Sequence, residues 1–376
     1  MRIEAITLRE IRMPLVHFFE TSFGRTTNRR ILLLTVHTDG PEGWGECVAG
    51  EDPHYSEESI DTAWYAIENY FAPALLGKTI AKASEAPALF ARVRGHGMAK
   101  GALENALWDA EAQYHSLALW QLLGGIRAEI PCGVSIGIQN SEEQLLEKIE
   151  TELAAGYRRI KVKCKPGWDI VIFDRIRQRW PEILLSCDAN SAYTIKDAEH
   201  LRGFDYFNLL MIEQPLWHDD FYFHAQLQRQ LKTKICLDEA IRNRRDAQAA
   251  IELGACKIVN IKVGRVGGFS EAVAVHDVAR RAGIPVWCGG MLESGIGRSH
   301  NIALSTLPGF TLPGDVSASK RYWKEDIIEP AVEVSSQGFI TTPTAAGRGF
   351  QIKTELIKKL TTREQTLRTG GKAAAD

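Results

Sequence analysis

One interval governs this chain. Lys163, Asp188, Glu213, Asp238 and Lys262 follow one another at separations of 25, 25, 25 and 24 residues, and each ends or interrupts a short apolar run. The runs are RRIKVKC (158–164), ILLSCDAN (183–190), LLMIEQPL (209–216), KICLDEA (234–240) and CKIVNIKV (256–263). PCGVSIG (131–137) precedes them, and PVWCGGML (285–292) and a weaker TLPGDVS (311–317) follow. The stretches between have helical apolar spacing; SEEQLLEKIETELAAG opens on a serine cap pattern and closes on Gly156. Strand then helix, repeated about eight times, implies a parallel sheet, most economically closed as a (β/α)8-type barrel. An open doubly wound sheet fits less well, because no Gly-x-Gly-x-x-Gly turn follows an early strand.

The ends of the chain break this rhythm. IEAITLREIRMPL, RILLLTVHTDG and GWGECVAG read as an antiparallel meander, followed by helical patterns in SEESIDTAWYAIENYFAPALLG and AKGALENALWDAEAQYHSLALWQLLGG. Strands first and helices second suggest a separate α+β domain over residues 1–125, with the barrel over 126–320. The tail, 321–376, is expected to pack back on the first domain, and its end, LRTGGKAAAD, to be disordered.

Composition narrows the ligand. A formal charge of −2 on 376 residues gives no electrostatic reason to bind nucleic acid or an anionic membrane, so a small molecule is the expected partner. The seven cysteines form no CxxC pair and sit mostly in apolar runs, which argues for a reducing compartment and against zinc. MRIEAITLREIRMPL lacks the continuous apolar core of a signal peptide, and nothing later reaches transmembrane length. A cytoplasmic protein is expected.

In RIKVKCKPG, the alternation puts Ile160, Val162 and Cys164 on one face and Lys161 and Lys163 on the other. Residues one βα unit apart lie on adjacent strands, and strand C-termini open on the face where barrels build active sites. The five charged residues should therefore converge. Three carboxylates meeting in a partly dry site repel one another unless a cation lies between them, and oxygen-only ligation points to Mg²⁺, or Mn²⁺, held by Asp188, Glu213 and Asp238. Lys163 and Lys262 would flank that ion, and Lys161 would favour a neutral, proton-accepting Lys163 or bind a substrate carboxylate. The chemistry that follows is removal of a proton α to a carboxylate. Blander readings suit other charges: Lys165 as exposed, His300 as a helix residue, and Arg29 and Arg30 as a solvated strand start.

The Lys-x-Lys of IKVK with CDAN, IEQP, LDE and NIKVGRVGG resembles the enolase superfamily, in its muconate-lactonizing subgroup, over nearly the whole chain. That resemblance implies a (β/α)7β barrel of the TIM type under an N-terminal α+β capping domain. It also implies magnesium on Asp188, Glu213 and Asp238, and Lys163 and Lys262 as acid/base lysines. WCGGMLESGIGRSHN (287–301) and MPLVHFFETSFG look further like the o-succinylbenzoate synthases, which include N-succinylamino acid racemases. Such an enzyme dehydrates a 2-succinyl-6-hydroxy-cyclohexadiene carboxylate in menaquinone biosynthesis, or exchanges the α-proton of an N-acyl amino acid. Ser135, Asn190, Gly290 and Met291 are candidate substrate contacts, and Arg265 would add positive potential behind Lys262. The segment 21–25 is expected to close over the ligand. A mandelate-racemase-type site would need a histidine where Lys262 stands. A dipeptide epimerase would carry Asp-x-Asp where this chain has Asp315-Val316-Ser317, and GGMLESGIG fits muconate cycloisomerase less well. A binding-only barrel and a Schiff-base aldolase using Lys163 are the readings from other classes, and the carboxylate ladder disfavours both. A homo-oligomer is expected, as such barrels often assemble.

Overall fold

The computed structural model describes residues 1–22 and 24–369; the expected disorder of the last residues falls largely outside that range. Three antiparallel strands open the chain: β1 (Ile3–Thr21), β2 (Gly24–Thr38) and β3 (Gly43–Cys47). The first two are longer than the sequence patterns suggested. Pairing runs regularly to Pro14 opposite Asn28, shifts register, and resumes with Phe19 opposite Thr26. Extra residues on one strand of a pair bend it. The prolonged hairpin reaches the barrel, where the Glu20 carbonyl accepts from the Ile138 amide at 3.0 Å and Ser22 Oγ donates to the Asn190 carbonyl at 3.2 Å.

Strand alternation makes β2 two-faced. Ile31 and Leu33 enter the barrel-side core with Val134 and Ile160, whereas Leu32, Leu34 and Val36 enter a second core with Trp64 and Phe71. β3 presses against the helix Gly97–Tyr114 so closely that a Cβ on Gly45 would lie 2.0 Å from the Ala102 carbonyl oxygen.

Seven parallel strands follow, each hydrogen-bonded to the next. They are β4 (Val134–Ile136), β5 (Arg159–Lys163), β6 (Leu184–Asp188), β7 (Ile212–Glu213), β8 (Ile235–Leu237), β9 (Ile258–Ile261) and β10 (Val286–Cys288). A helix follows every one of them, as the rhythm required; Ser141 caps the first by accepting from the Gln144 amide at 3.2 Å, and Gly156 ends it at φ 98°. The weak eighth run closes the curl without becoming a full strand. Phe310 bridges Val286 of β10 and Gly314 bridges Cys132 just before β4, while the Asp315 amide donates to the Cys288 carbonyl at 2.8 Å. The fold is thus α/β, a parallel barrel beside an antiparallel N-terminal sheet. The last strand, β11 (Thr361–Arg368), returns to pair with β1 from Ala5 opposite Arg368 to Ile11 opposite Thr361. All seven cysteines are buried and unpaired, and among the described residues no helix is long and apolar enough to cross a membrane.

Candidate active site

β5 sets the site. Its odd-numbered side chains point into the barrel, so Arg159, Lys161 and Lys163 form a column of cations, while Ile160, Val162 and Cys164 pack in the hydrophobic core. A buried charge is tolerable only when paired, and each has its partner. Arg159 meets Asp315 at 2.7 Å and lies over the Trp287 ring at 4.9 Å. Lys161 meets Glu213 at 2.6 Å, Asp315 at 2.9 Å and Asp188 at 3.2 Å. Lys163 donates to Asp188 Oδ2 and to Asn190 Oδ1, both at 2.6 Å.

The 25-residue ladder converges as a staircase. Lys163, Asp188 and Glu213 are direct neighbours in register, but Glu213 faces Cys236, which leaves Asp238 two residues higher. Cys236 in turn faces Ile258, so Lys262 stands two residues higher again than the residue level with Asp238. Equal sequence spacing does not give equal height because barrel strands are tilted and staggered. The climb carries Lys262 to Tyr55, from the N-terminal segment, whose hydroxyl accepts from Nζ at 2.9 Å; Asp238 accepts from the same ammonium at 2.8 Å. Arg265, three residues on, donates to Asp238 Oδ1 and, at 3.2 Å, to the Tyr55 hydroxyl.

Electrostatics follow from this pairing. Asp188, Glu213 and Asp238 are 1%, 0% and 0% exposed. Burial opposes the charge on Asp188, but Lys163 and Lys161 outweigh it and hold the carboxyl below its ordinary value. Burial and then Asp188 push Glu213 upward, and the same two causes raise Glu239 to about 6. Lys161 is shifted upward despite burial, because Asp315, Glu213 and Asp188 surround it. Its ammonium is paired with all three of these carboxylates. Lys262 is raised too, with burial opposed by Tyr55 and Glu239.

The carboxylates are turned onto these cations, and among the described residues no three His, Cys, Asp or Glu side chains are arranged to hold a metal ion. The donor chemistry nonetheless suits a hard divalent cation: the acids are buried and close, and Glu239 Oε2 and Asn260 Oδ1 are buried oxygens without a donor.

A cavity of about 350 Å³ opens above the lysines. Lys163, Asn190, Lys262, Gly290 and Met291 line it from the barrel, and Phe19, Thr21, Arg25, Arg29 and Tyr55 line it from the N-terminal segment. Ser135 is not among its lining residues; it lies lower on β4, level with Lys161, and its carbonyl accepts from Arg321. Sequence reasoning missed Tyr55, Asn260 and Glu239, which hold Lys262, Glu213 and Asn190 respectively. It also misread Arg29, which is buried in the cavity wall, and Arg30, which is paired with Glu10 and Asp61. Lys165 is half-buried, and His300 lies buried in the helix Gly295–Ser305.

Residues 144–356 match the family profile for the enolase C-terminal domain-like fold, and residues 2–124 match that for the mandelate racemase / muconate lactonizing enzyme N-terminal domain. The chain is 50% identical over 362 residues to an o-succinylbenzoate synthase of Geobacillus kaustophilus, covering 96% of each. It is 49% identical over 363 residues to an N-succinylamino acid racemase of Amycolatopsis, covering 96% of this chain and 98% of that one. Among solved structures, an enolase superfamily member from Listeria innocua superposes with a TM-score of 0.94 at 39% identity, over 98% of this chain and 99% of that one. This chain therefore belongs to the enolase superfamily, in its mandelate racemase / muconate lactonizing enzyme branch.

Proposed function

We propose that the protein abstracts a proton α to a carboxylate, as an o-succinylbenzoate synthase that also racemises N-succinyl amino acids. The observation that carries this reading is that Lys163 and Lys262 reach one cavity from different strands, each resting on a buried carboxylate. Full-length relatives bearing the two names at nearly equal identity support the pairing of activities.

Asp188, Glu213 and Asp238 are the residues that would hold Mg²⁺, with Mn²⁺ as a substitute, once they turn from the lysines. Magnesium, when bound, supplies positive charge that stabilises the substrate carboxylate as its α-proton leaves. Lys163 takes that proton and returns it to the departing hydroxyl, so the carbon–oxygen bond breaks with release of water, and one base suffices. Lys262 stays protonated and offsets the negative charge that develops on the ring. In racemisation the two lysines exchange roles, one removing the proton and the other delivering its replacement. Lys161, Asn190 and Arg265 keep these groups in place. Gly290 and Met291 form the wall facing the substrate. Thr21, Gly24 and Arg25 line the mouth of the cavity, and their closing over a bound substrate would exclude water.

The test is purified protein with Mg²⁺ in deuterated water, following N-succinyl-phenylalanine by NMR and the cyclohexadiene substrate by absorbance. Dehydration and α-deuterium incorporation are both expected, and both should fall about a thousandfold in Lys163→Ala. Turnover of neither substrate by the unaltered chain removes this assignment.

A further inference from the structure

The cavity wall holds a cation that the α-proton chemistry does not use. Three arginines line it, and two of them have acidic partners: Arg25 meets Glu20 at 2.6 Å, and Arg30 meets Glu10 and Asp61 at 2.9 Å. Arg29 is different. It is 8% exposed, and among the described residues it makes no ion pair; one Nη donates to the Ala49 carbonyl at a long 3.3 Å, and its buried Nε has no partner. Its place follows from strand alternation, since it shares the barrel-facing side of β2 with Ile31 and Leu33.

The acids that act on Arg29 electrostatically are led by Glu46 and Glu293, and both are engaged elsewhere. Glu46 accepts from the amides of Ser294 at 3.0 Å and Gly297 at 2.8 Å and from Ser294 Oγ at 2.5 Å; Glu293 accepts from Asn301 at 2.9 Å. A buried guanidinium with spare donors is costly unless an anion completes it. Its planar fork suits a carboxylate.

Resting on the function proposed above, the geometry points to Arg29 as the binding residue for a second carboxylate, the distal one of the substrate's succinyl tail. The ligand class is then a dicarboxylate, with one acid group by Lys163 and Lys262 and the other on β2. The cyclohexadiene substrate, its aromatic product and an N-succinyl amino acid all carry that distal carboxylate at the end of a four-carbon acyl group. One arginine then accounts for a single cavity accepting a ring and an amino acid, because the shared tail is what it holds.

The test is calorimetric binding of o-succinylbenzoate and of 2-butanoylbenzoate, which has a methyl in place of the distal carboxylate, to the full chain with Mg²⁺. The unaltered protein should bind the dicarboxylate about thirtyfold more tightly, the worth of one charge-assisted hydrogen-bonded pair. Arg29→Met should weaken only the dicarboxylate and so erase the difference. Equal affinities in the unaltered protein overturn the inference, as does an Arg29→Met variant that weakens both ligands alike, which is the mark of a structural arginine. If Arg29→Met does not fold, the unaltered protein's discrimination still decides, and Arg29→Lys should retain part of it. Because binding is read, a protein that distinguishes the two ligands but turns over no substrate would lose the proposed activity and keep this site.

Discussion

Asp315 holds two cations at once, Arg159 through one oxygen and Lys161 through the other. Both are fully enclosed, and the same two cations keep the Asp315 carboxyl well below the usual carboxylate range even though burial opposes its charge. Removing one member of a buried ion network leaves its partners uncompensated. Asp315→Asn is therefore expected to cost about 3 kcal/mol in urea unfolding and to weaken the proposed activity through a displaced Lys161. An unchanged midpoint would show that the carboxylate carries no such load. In Asp315-Val316-Ser317, the run without the second acid of an Asp-x-Asp pair, the one carboxylate has both oxygens engaged inside the barrel. Pairing of that kind is invisible in a linear chain, because Arg159 lies 156 residues away.

At the scale of elements, the helix Gly97–Tyr114 shows where pattern reading loses its grip. Its acidic residues suggest a solvated face, yet Glu104, Asp109 and Glu111 are all buried. Each serves as an acceptor for backbone amides of neighbouring segments: Glu104 for Ser270 at 3.1 Å, Asp109 for Trp44 at 2.9 Å, Glu111 for Ala83 at 2.5 Å. The helix lies between the N-terminal sheet and the barrel and has little free surface to present. The βα rhythm was legible because barrel strands repeat the same environment, and the five converging residues were legible for the same reason. Tyr55 and Arg29 were not, since they reach the site from a segment with no periodic relation to it. Glu104 yields a pH prediction. Burial raises its carboxyl to about 7, against donors that lower it. The folded state therefore keeps a proton that the unfolded chain releases nearer pH 4.5, and stability falls as pH rises between those values. Relative to Glu104→Gln, the unaltered protein should lose about 3 kcal/mol from pH 4.5 to 7. Parallel thermal-unfolding profiles for the two proteins would contradict this.

The whole molecule is tied together by its ends. The barrel is closed by 309–315 lying between β10 and β4, and the N-terminal sheet is completed by β11 beside β1. β11 is polar, TTREQTLR, and mostly exposed, which suits an edge that must not recruit another chain. Its pairing is reinforced by Thr366 on Thr7 at 2.9 Å and Glu364 on Arg9 at 2.8 Å. Ending the chain after Leu360 should bare the β1 edge, lower the melting temperature and raise light scattering on heating; a truncated protein that melts and scatters like the original would mean that the strand is dispensable. The pairing also orders events in time. β1 precedes every barrel strand in the chain and β11 follows them all, so that edge of the sheet stays bare while every barrel strand is being made. A chain whose tail never arrives, through early termination or a barrel that fails to close, therefore keeps an unsatisfied row of amides and carbonyls on display. That row is a mark of incompleteness that chaperones and proteases can read.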